Sequence, residues 1–590
     1  MELSENARRV LDARYLRRDA QGKIAETPAQ LFERVARAVS EAELYYGSVA
    51  DARLWEERFH EMMRALDFLP NSPTLMNGGT PLGQLSACFL LPIEDTMESI
   101  FGTLRDMALA QRTGGGTGFS FSRLRPAGEI ISSTGGAASG PVSFMRIYDC
   151  ATENIKLGGR RRGANMGALR IDHPDIEEFI NAKRGGGALR NFNISVGVTD
   201  EFMKAVEDDG KLPLRRPSDG RVVGERSARA LFEAICDAAW ATGDPGLIFL
   251  DTISRANPTP ALGQIESTNP CGEVPLLPYE SCNLGSINLA HVVTERDGRP
   301  SIDWERLQTL VAYGVRFLDD VIAVNRFPTE QIKRMTLGNR KIGLGVMGFA
   351  ELCILTGVSY NSAEALRAAG ELMSFIAREA RAASERLAEE RGVFPNWEKS
   401  IYAQQGLRLR NATLTSIAPT GTISIIAGTS SSIEPLFALA YRRAHVLGDQ
   451  TLTEFNPLFL RYLDRHKLAS PQLLDSVIQC GRLTGTAGAP PDLRNLFVTA
   501  LDIPPERHLR IQAAFQQHVD NAVSKTLNLP QDTTANEIAK IYRLAHQFGC
   551  KGVTVFRYGS KGEHVLELGV GETPYEREHF TKCDPAACRL

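Results

Sequence analysis

The chain has 590 residues, 43% hydrophobic and 23% charged, with a formal net charge of −3. That is an ordinary globular composition, and its near-neutral balance gives no electrostatic footprint for nucleic acid. No stretch approaches the ~18 apolar residues of a membrane span, and Met1-Glu2-Leu3-Ser4-Glu5 lacks the basic and apolar regions of an export signal.

Ten cysteines in so long a chain, with no such signal, point to a reducing, cytoplasmic compartment. Residues 1–70 read as a helical N-terminal region, with amphipathic runs from Ala29 to Leu44 and from Asp51 to Leu66. From residue 71 to about 560, short apolar strands alternate with helices in an α/β pattern. Met97, Ile100, Phe101, Leu104 and Ala108 share one face of a helix ending near Arg112. Leu247 to Leu250 is a strand introduced by Gly243-Asp244-Pro245-Gly246. Trp304 to Val324 and Ser362 to Arg391 are long helices, the second with Asn361 as N-cap and Glu364 three residues on. Thr413 to Ile417 reads as a strand. Cys150, Cys236 and Cys353 lie in apolar helical stretches and read as core residues; Cys480 and Cys550 are assigned there by default. Residues 561–590 form a polar tail ending in Cys583-Asp584-Pro585-Ala586-Ala587-Cys588-Arg589-Leu590.

Three glycine-rich segments interrupt this pattern: Arg112 to Gly118, Gly158 to Asn165, and Pro419-Thr420-Gly421-Thr422-Ile423-Ser424. Backbone amides in such turns form concave anion sites. None ends in the Gly-Lys-Ser/Thr of a Walker A loop. Each alone reads as a turn; three in one chain favour a phosphate-bearing ligand. The run Arg160-Arg161-Arg162 is a solvated face, a nucleic-acid contact or a loop around a small anion, and its flanking glycines favour the last. Cys583 and Cys588 form one pair with no second pair nearby. That spacing suits thiol–disulfide exchange better than a structural zinc site. Finally, Asn269-Pro270-Cys271-Gly272-Glu273 puts a carboxamide, a thiol and a carboxylate in one short turn, followed by Cys282. Taken alone it is either a structural turn or a loop aiming three side chains at one point.

Together these motifs identify a resemblance. Asn71-Ser72-Pro73-Thr74, Ser86-Ala87-Cys88, Asn269 to Glu273, Cys282, Pro419 to Ile423, Ile433-Glu434-Pro435-Leu436 and the Cys583/Cys588 pair follow the order and spacing of ribonucleotide reductase catalytic subunits. The chain resembles that family over nearly its whole length, and most of all its class II, adenosylcobalamin-dependent branch. The resemblance implies a ten-stranded α/β barrel of two five-stranded half-barrels with a central finger loop. It implies that Cys271 is the thiyl-radical residue that takes the 3′ hydrogen of the substrate, with Glu273 as base on the 3′ hydroxyl and Asn269 as a substrate hydrogen-bond partner. Cys88 and Cys282 would supply the reducing equivalents and end as a disulfide. Cys583 and Cys588 would reduce that disulfide and pass oxidation to thioredoxin or glutaredoxin. Ser72, Ala87, Cys88, Gly116, Asn269 to Glu273 (with Pro270 and Gly272) and Pro419, Thr420, Gly421, Thr422 and Ile423 match substrate-binding positions. Asp95 and Arg125 match a site for deoxynucleoside triphosphate effectors, and the Gly158–Asn165 loop matches the segment relaying effector identity. Helices around 97–112 and 143–157 would pair across a homodimer interface.

Two departures bear on the class. The positions of the class I Tyr-Tyr radical relay are Val555-Phe556 by local alignment, so the radical is expected to be made beside Cys271 by adenosylcobalamin. The N-terminus also leaves no room for an ATP-cone domain, so dATP is not expected to switch off overall activity. No Asp-x-His-x-x-Gly cobalamin signature occurs, since Asp464-Arg465-His466 is not followed by it, and class II reductases are not expected to supply that histidine. The substrates implied are ribonucleoside diphosphates, by analogy with full-length, dimer-type chains. The alternatives are a class I large subunit served by a separate radical-generating subunit, and a non-catalytic nucleotide-binding regulator.

Overall fold

The computed structural model describes residues 3–131, 135–155, 163–447, 450–486 and 488–560, and the strand 566–568; for 441–447, 450–455 and 566–568 it describes the backbone only. Three helices open the chain: Glu5–Arg14, Pro28–Ser40 and Val49–Arg64. Thr27 with Gln30 and Ser48 with Asp51 form capping boxes, so both longer helices begin where their orphan amides find side-chain acceptors. The apolar run expected to reach Leu44 leaves the α-helix at Ser40 and continues as a 3₁₀ turn over Glu41–Tyr45. Leu31, Phe32, Val35, Phe59 and Met63 pack into the same core as Phe68 and Phe317.

The large domain is built on a ten-stranded sheet, nine strands of which curl into a barrel while the tenth, Phe68–Pro70, pairs antiparallel with Ser281–Asn288. Cys88–Leu90, Gly116–Ser120, Asn165–Arg170, Phe192–Val198 and Gly246–Phe249 run parallel, each paired with the next. On the other half, Ser281–Asn288 is parallel to Ile342–Met347, and Thr526–Leu529 to Gly552–Arg557. The expected strand at 413–417 forms no ladder of its own, because it exchanges only a few bonds with each neighbour. Its two parallel bridges, Leu344 to Thr415 and Ile417 to Val523, nonetheless close the ring. The halves meet at two antiparallel seams, Cys282 opposite Cys88 and Ile248 opposite Gly552.

Through this barrel passes a hairpin, Ser267–Thr268 paired antiparallel with Pro275–Leu276. Its approach to the wall is set by two glycines. A Cβ on Gly118 would lie 1.8 Å from the Thr268 carbonyl oxygen, and one on Gly116 would lie 2.8 Å from Pro270 Cγ. The wall is therefore glycine where the hairpin crosses it.

The helices Met97–Arg112 and Trp304–Val324 have the bounds the pattern gives. The first, however, turns Ile100, Met107 and Ala110 inward and leaves Met97 and Phe101 57% and 45% exposed. The long helix Ala363–Arg391 is capped by Ser362, whose Oγ accepts from Ala365 N at 3.1 Å, in place of Asn361. Cys236, Cys353 and Cys550 are buried, but Cys150 and Cys480 are exposed. Cys150 lies two residues beyond Tyr148, which is buried, and about 200° round the helix from it. Among the described residues, no helix is long and apolar enough to cross a membrane.

Behind the barrel, a buried charge cluster ties distant segments together. Asp319 accepts from Arg340 Nε at 2.9 Å, Arg391 Nη1 at 3.1 Å, Arg410 Nε at 3.3 Å and Asn411 Nδ2 at 2.9 Å. Arg391 also reaches Asp320 and Glu43, and Glu43 binds Arg316. Burial alone would raise the Asp319 carboxyl, but the guanidinium groups of Arg340, Arg410 and Arg391 overcome it and hold the pKa at about 2.

Two outcomes follow from this architecture. Gly118→Ala is expected to lower stability by about 1–3 kcal/mol or more and to change the alkylation rate of Cys271, because the hairpin must shift; a denaturant midpoint and timed iodoacetamide labelling check it. Asp319→Ala leaves three guanidinium groups without their shared carboxylate and is expected to cost about 3–5 kcal/mol, read as a fall in urea midpoint. Because the Asp319 pKa is depressed in the fold, its contribution is complete above about pH 4. It fades as the pH falls towards 2, so the difference between wild type and variant shrinks over that interval.

Candidate active site

The hairpin tip holds Asn269-Pro270-Cys271-Gly272-Glu273. Asn269 closes the turn from within: its carbonyl accepts from Gly272 N at 3.1 Å and its Oδ1 from Val274 N at 3.0 Å. Gly272 has φ +83°, a left-handed conformation that favours glycine. From the wall, Asn193 Nδ2 donates to the Pro270 carbonyl at 2.7 Å. The Glu273 carbonyl accepts from Ala522 N at 2.8 Å and from Ser416 Oγ at 2.9 Å. Held in this way, Cys271 is exposed while the Glu273 side chain turns inward, its residue only 2% accessible.

Cys88 and Cys282 come from segments 194 residues apart and are direct partners across an antiparallel seam. Directly opposite residues in such a pair have Cα atoms about 4.5–5.5 Å apart, within the span of a disulfide. Both are free thiols and both are buried. Burial pushes the Cys88 thiol well up, helped by Glu273, and burial likewise raises Cys282. The two sulfurs are therefore protonated at neutral pH and carry hydrogen available for transfer. Asn269 Nδ2 donates to Cys88 Sγ at 3.2 Å, linking the hairpin tip to this pair.

A cavity of about 750 Å³ opens beside the tip, lined by Pro270, Cys271 and Gly272 and also by Ile248, Ser524, Lys525, Thr554 and Phe556. Of the other residues expected at the site, Pro419 reaches this cavity. Ala87 lies in the wall between the seam strands, donating to the Cys282 carbonyl and accepting from Gly116 N. Ser72 Oγ is 2.7 Å from the Tyr15 hydroxyl. Thr420 has φ +53° and its Oγ1 accepts from Ser432 N, and Gly421 and Thr422 lead into a short helix at Ile423–Ala427. Asp95 and Arg125 are brought together as an ion pair at 2.6 Å, each side chain about 30% exposed. Cys583, Cys588 and most of the Gly158–Asn165 loop lie outside the described residues. Asn165 is described, and its amide joins Gln111, Thr117 and Thr152 in a buried network.

Three polar side chains around the hairpin carried little signal in the sequence. Asn193 gives no signal, being one asparagine in an apolar strand. Glu280 and Lys341, a buried pair at 2.7 Å below the hairpin, were signalled only by charges abutting the strands that begin at Ser281 and Ile342.

Comparison with known proteins agrees with this geometry. The ribonucleotide reductase barrel-domain family matches residues 86–409 and 404–556, and the all-alpha domain of that family matches residues 1–83. The vitamin B12-dependent ribonucleoside-diphosphate reductase of Thermoplasma acidophilum is 49% identical over 98% of this chain and 82% of its own length. The protein of the same name from Mycobacterium tuberculosis is 53% identical over 96% of this chain and 81% of its own. The class Id ribonucleotide reductase alpha subunit of Actinobacillus ureae shares the fold, with a TM-score of 0.76 over 94% of this chain and 97% of that one, at 22% identity. With its helical N-terminal region, its two antiparallel half-barrels and its cysteine-tipped hairpin, the chain belongs to the ribonucleotide reductase family as a large catalytic chain.

Proposed function

We propose that the protein reduces ribonucleoside diphosphates to 2′-deoxyribonucleoside diphosphates for DNA synthesis, by a thiyl-radical mechanism dependent on adenosylcobalamin. The observation that carries this reading is the placement of Cys271: exposed at the tip, facing a roomy cavity, with the buried Cys88/Cys282 pair tied to the same tip through Asn269. The names of the two relatives at about half identity support the cofactor and the diphosphate substrate.

The cavity fits the cofactor. Its lining includes Ile248, Thr554 and Phe556 from the strands of the second seam, with Ser524 and Lys525 beside them, and among the described residues no tyrosine, so a large group bearing both apolar and polar edges can lie there. These residues, with Met166 and Asn193, would hold it. What adenosylcobalamin supplies when bound is homolytic chemistry that takes the hydrogen atom from the Cys271 thiol.

The remaining work falls to this chain's own groups. Cys271 takes the 3′ hydrogen of the ribose, and Glu273 accepts the proton of the 3′ hydroxyl; a carboxylate within reach of a sugar hydroxyl is a competent base. Asn269 hydrogen-bonds the substrate. The protonated Cys88 and Cys282 deliver hydrogen as the 2′ hydroxyl leaves as water, and a disulfide forms between them. Cys271 then returns its hydrogen to C3′. Ser72, Ala87, Gly116 and Pro419 to Ile423 bind the nucleotide, Asp95 and Arg125 bind a deoxynucleoside triphosphate effector, and Cys583 and Cys588 regenerate the pair at the expense of thioredoxin or glutaredoxin. Free thiols on this scale suit the cytoplasm. We further propose a homodimer through the helices Met97–Arg112 and Pro141–Asn154, whose Met97, Phe101 and Ile147 side chains are exposed apolar groups.

Deoxynucleotide formation from CDP and CTP with dithiothreitol, with and without adenosylcobalamin, tests the reading. Activity with CDP that requires the cofactor is expected. Activity only with a second, radical-generating protein would replace the cofactor assignment, and nucleotide binding without product under either condition would make the chain a regulator. Cys271→Ala is expected to abolish turnover while leaving the circular dichroism spectrum and unfolding midpoint near wild type, since that side chain is exposed. Replacing Met97 and Phe101 together by aspartate is expected to shift the protein from dimer to monomer in sedimentation velocity, because charges in an apolar interface core are strongly disfavoured.

A further inference from the structure

Lys341 is a buried charge for which the chemistry above has no task. Its side chain is 2% exposed and its ammonium lies 2.7 Å from Glu280, itself 1% exposed. Glu280 in turn accepts from Leu277 N at 2.6 Å and from the Asn339 amide. Taking both charges out of water is unfavourable, so such a pair is poor evidence of a stabilising role. Its placement is more informative. Asn283 pairs with Ile342 in parallel register, so the residues just before them, Cys282 and Lys341, are neighbours on adjacent strands. On its other side Cys282 pairs with Cys88. Cys282 thus stands between Cys88 and Lys341 across three strands spaced about 4.8 Å apart.

The two thiols have unequal surroundings. Beyond burial, which raises both, Cys282 feels the Lys341 ammonium, which favours its thiolate and outweighs Glu273 and Glu280 taken singly. Cys88 is opposed by Glu273, Cys282 and Cys271, with only the hydrogen bond from Asn269 favouring its thiolate. In thiol–disulfide exchange, the sulfur that leaves faster is the one whose thiolate is better stabilised.

We propose that Lys341 is a positioning residue that gives the Cys88–Cys282 disulfide a direction: an incoming dithiol attacks Cys88, and Cys282 departs as a thiolate beside the Lys341 ammonium. This rests on the assignment of Cys88 and Cys282 as the redox pair. The attacking thiolate bonds to Cys88 Sγ while the Sγ–Sγ bond breaks, and its electron pair goes to Cys282 Sγ, which then takes a proton. The second thiolate of the dithiol attacks its own first sulfur and releases Cys88 as a thiolate, which is protonated in turn. One dithiol is oxidised to a disulfide, one protein disulfide becomes two thiols, and the two protons lost by the dithiol end on Cys88 and Cys282.

The test uses the full-length protein after a single turnover of CDP with adenosylcobalamin and no reductant. Brief exposure to 2-mercaptoethanol, an acid quench and peptide mass spectrometry then locate the mixed disulfide. An adduct on Cys88 about tenfold in excess of that on Cys282 is expected; an even split, or an excess on Cys282, overturns the inference. If the single turnover leaves no Cys88–Cys282 disulfide at all, the redox-pair assignment itself fails and this inference with it. Lys341→Met is expected to erase the preference and slow reduction by dithiothreitol about tenfold, with the yield of the first turnover unchanged and Lys341→Arg restoring the rate. Glu280→Gln keeps an acceptor for Leu277 but removes the opposing charge, and is expected to speed reduction. A first turnover impaired as much as the reduction step would mark Lys341 as merely structural and overturn the proposal.

Discussion

The rest of the molecule depends on how closely a strand of peptide can lie against the inside of a barrel. Small barrels are ordinarily filled by their own inward side chains. Here backbone fills the axis, and the distance between the hairpin and the wall is fixed at Gly118, where the Thr268 carbonyl takes the space a Cβ would need. A hairpin buried in this way must find partners for its polar backbone. It finds them on the wall, at Asn193, Ala522 and Ser416, so the barrel as much as the loop's own sequence sets the position of Cys271.

That arrangement divides the chemistry by environment. Cys271 faces a cavity able to take a large ligand, while Cys88 and Cys282 lie in a dry seam where burial keeps them as thiols. On the proposed chemistry, a radical-bearing sulfur and a hydrogen-donating pair have opposite requirements for access, and the tip residue Asn269 donates across the boundary between them. The Glu280–Lys341 ion pair lies beside the same seam, with Lys341 on the Cys282 side of it.

Much of this was legible in the residues. The helix Trp304–Val324 has the bounds its apolar period gives, and Met97–Arg112 ends where expected although it buries a different face, and the clustering of Asn269, Cys271 and Glu273 was visible because a turn needs only local sequence. What was not legible depended on long-range contact. Nothing within a few residues of Gly118 tells that Thr268 will press on it, and nothing near Glu43 tells that Arg391 will bind it 348 residues later. Cys150 was misread because a helix can be apolar and still present its cysteine outward, and Asn361 because Ser362 is an equally good cap one position on. The segment 413–417 has the composition of a strand but lies where two others close a ring, and so it exchanges few bonds with either.

The two antiparallel seams have a mechanical side. One joins Cys88 to Cys282; the other, where Leu247 and Ile248 face Val553 and Gly552, borders the cavity. On the proposed chemistry, each catalytic cycle would place a covalent rivet across the first seam and then withdraw it, while the second would stay joined by hydrogen bonds alone. Oxidation would thus lock the half-barrels on the thiol side and leave the cavity side as the more yielding edge.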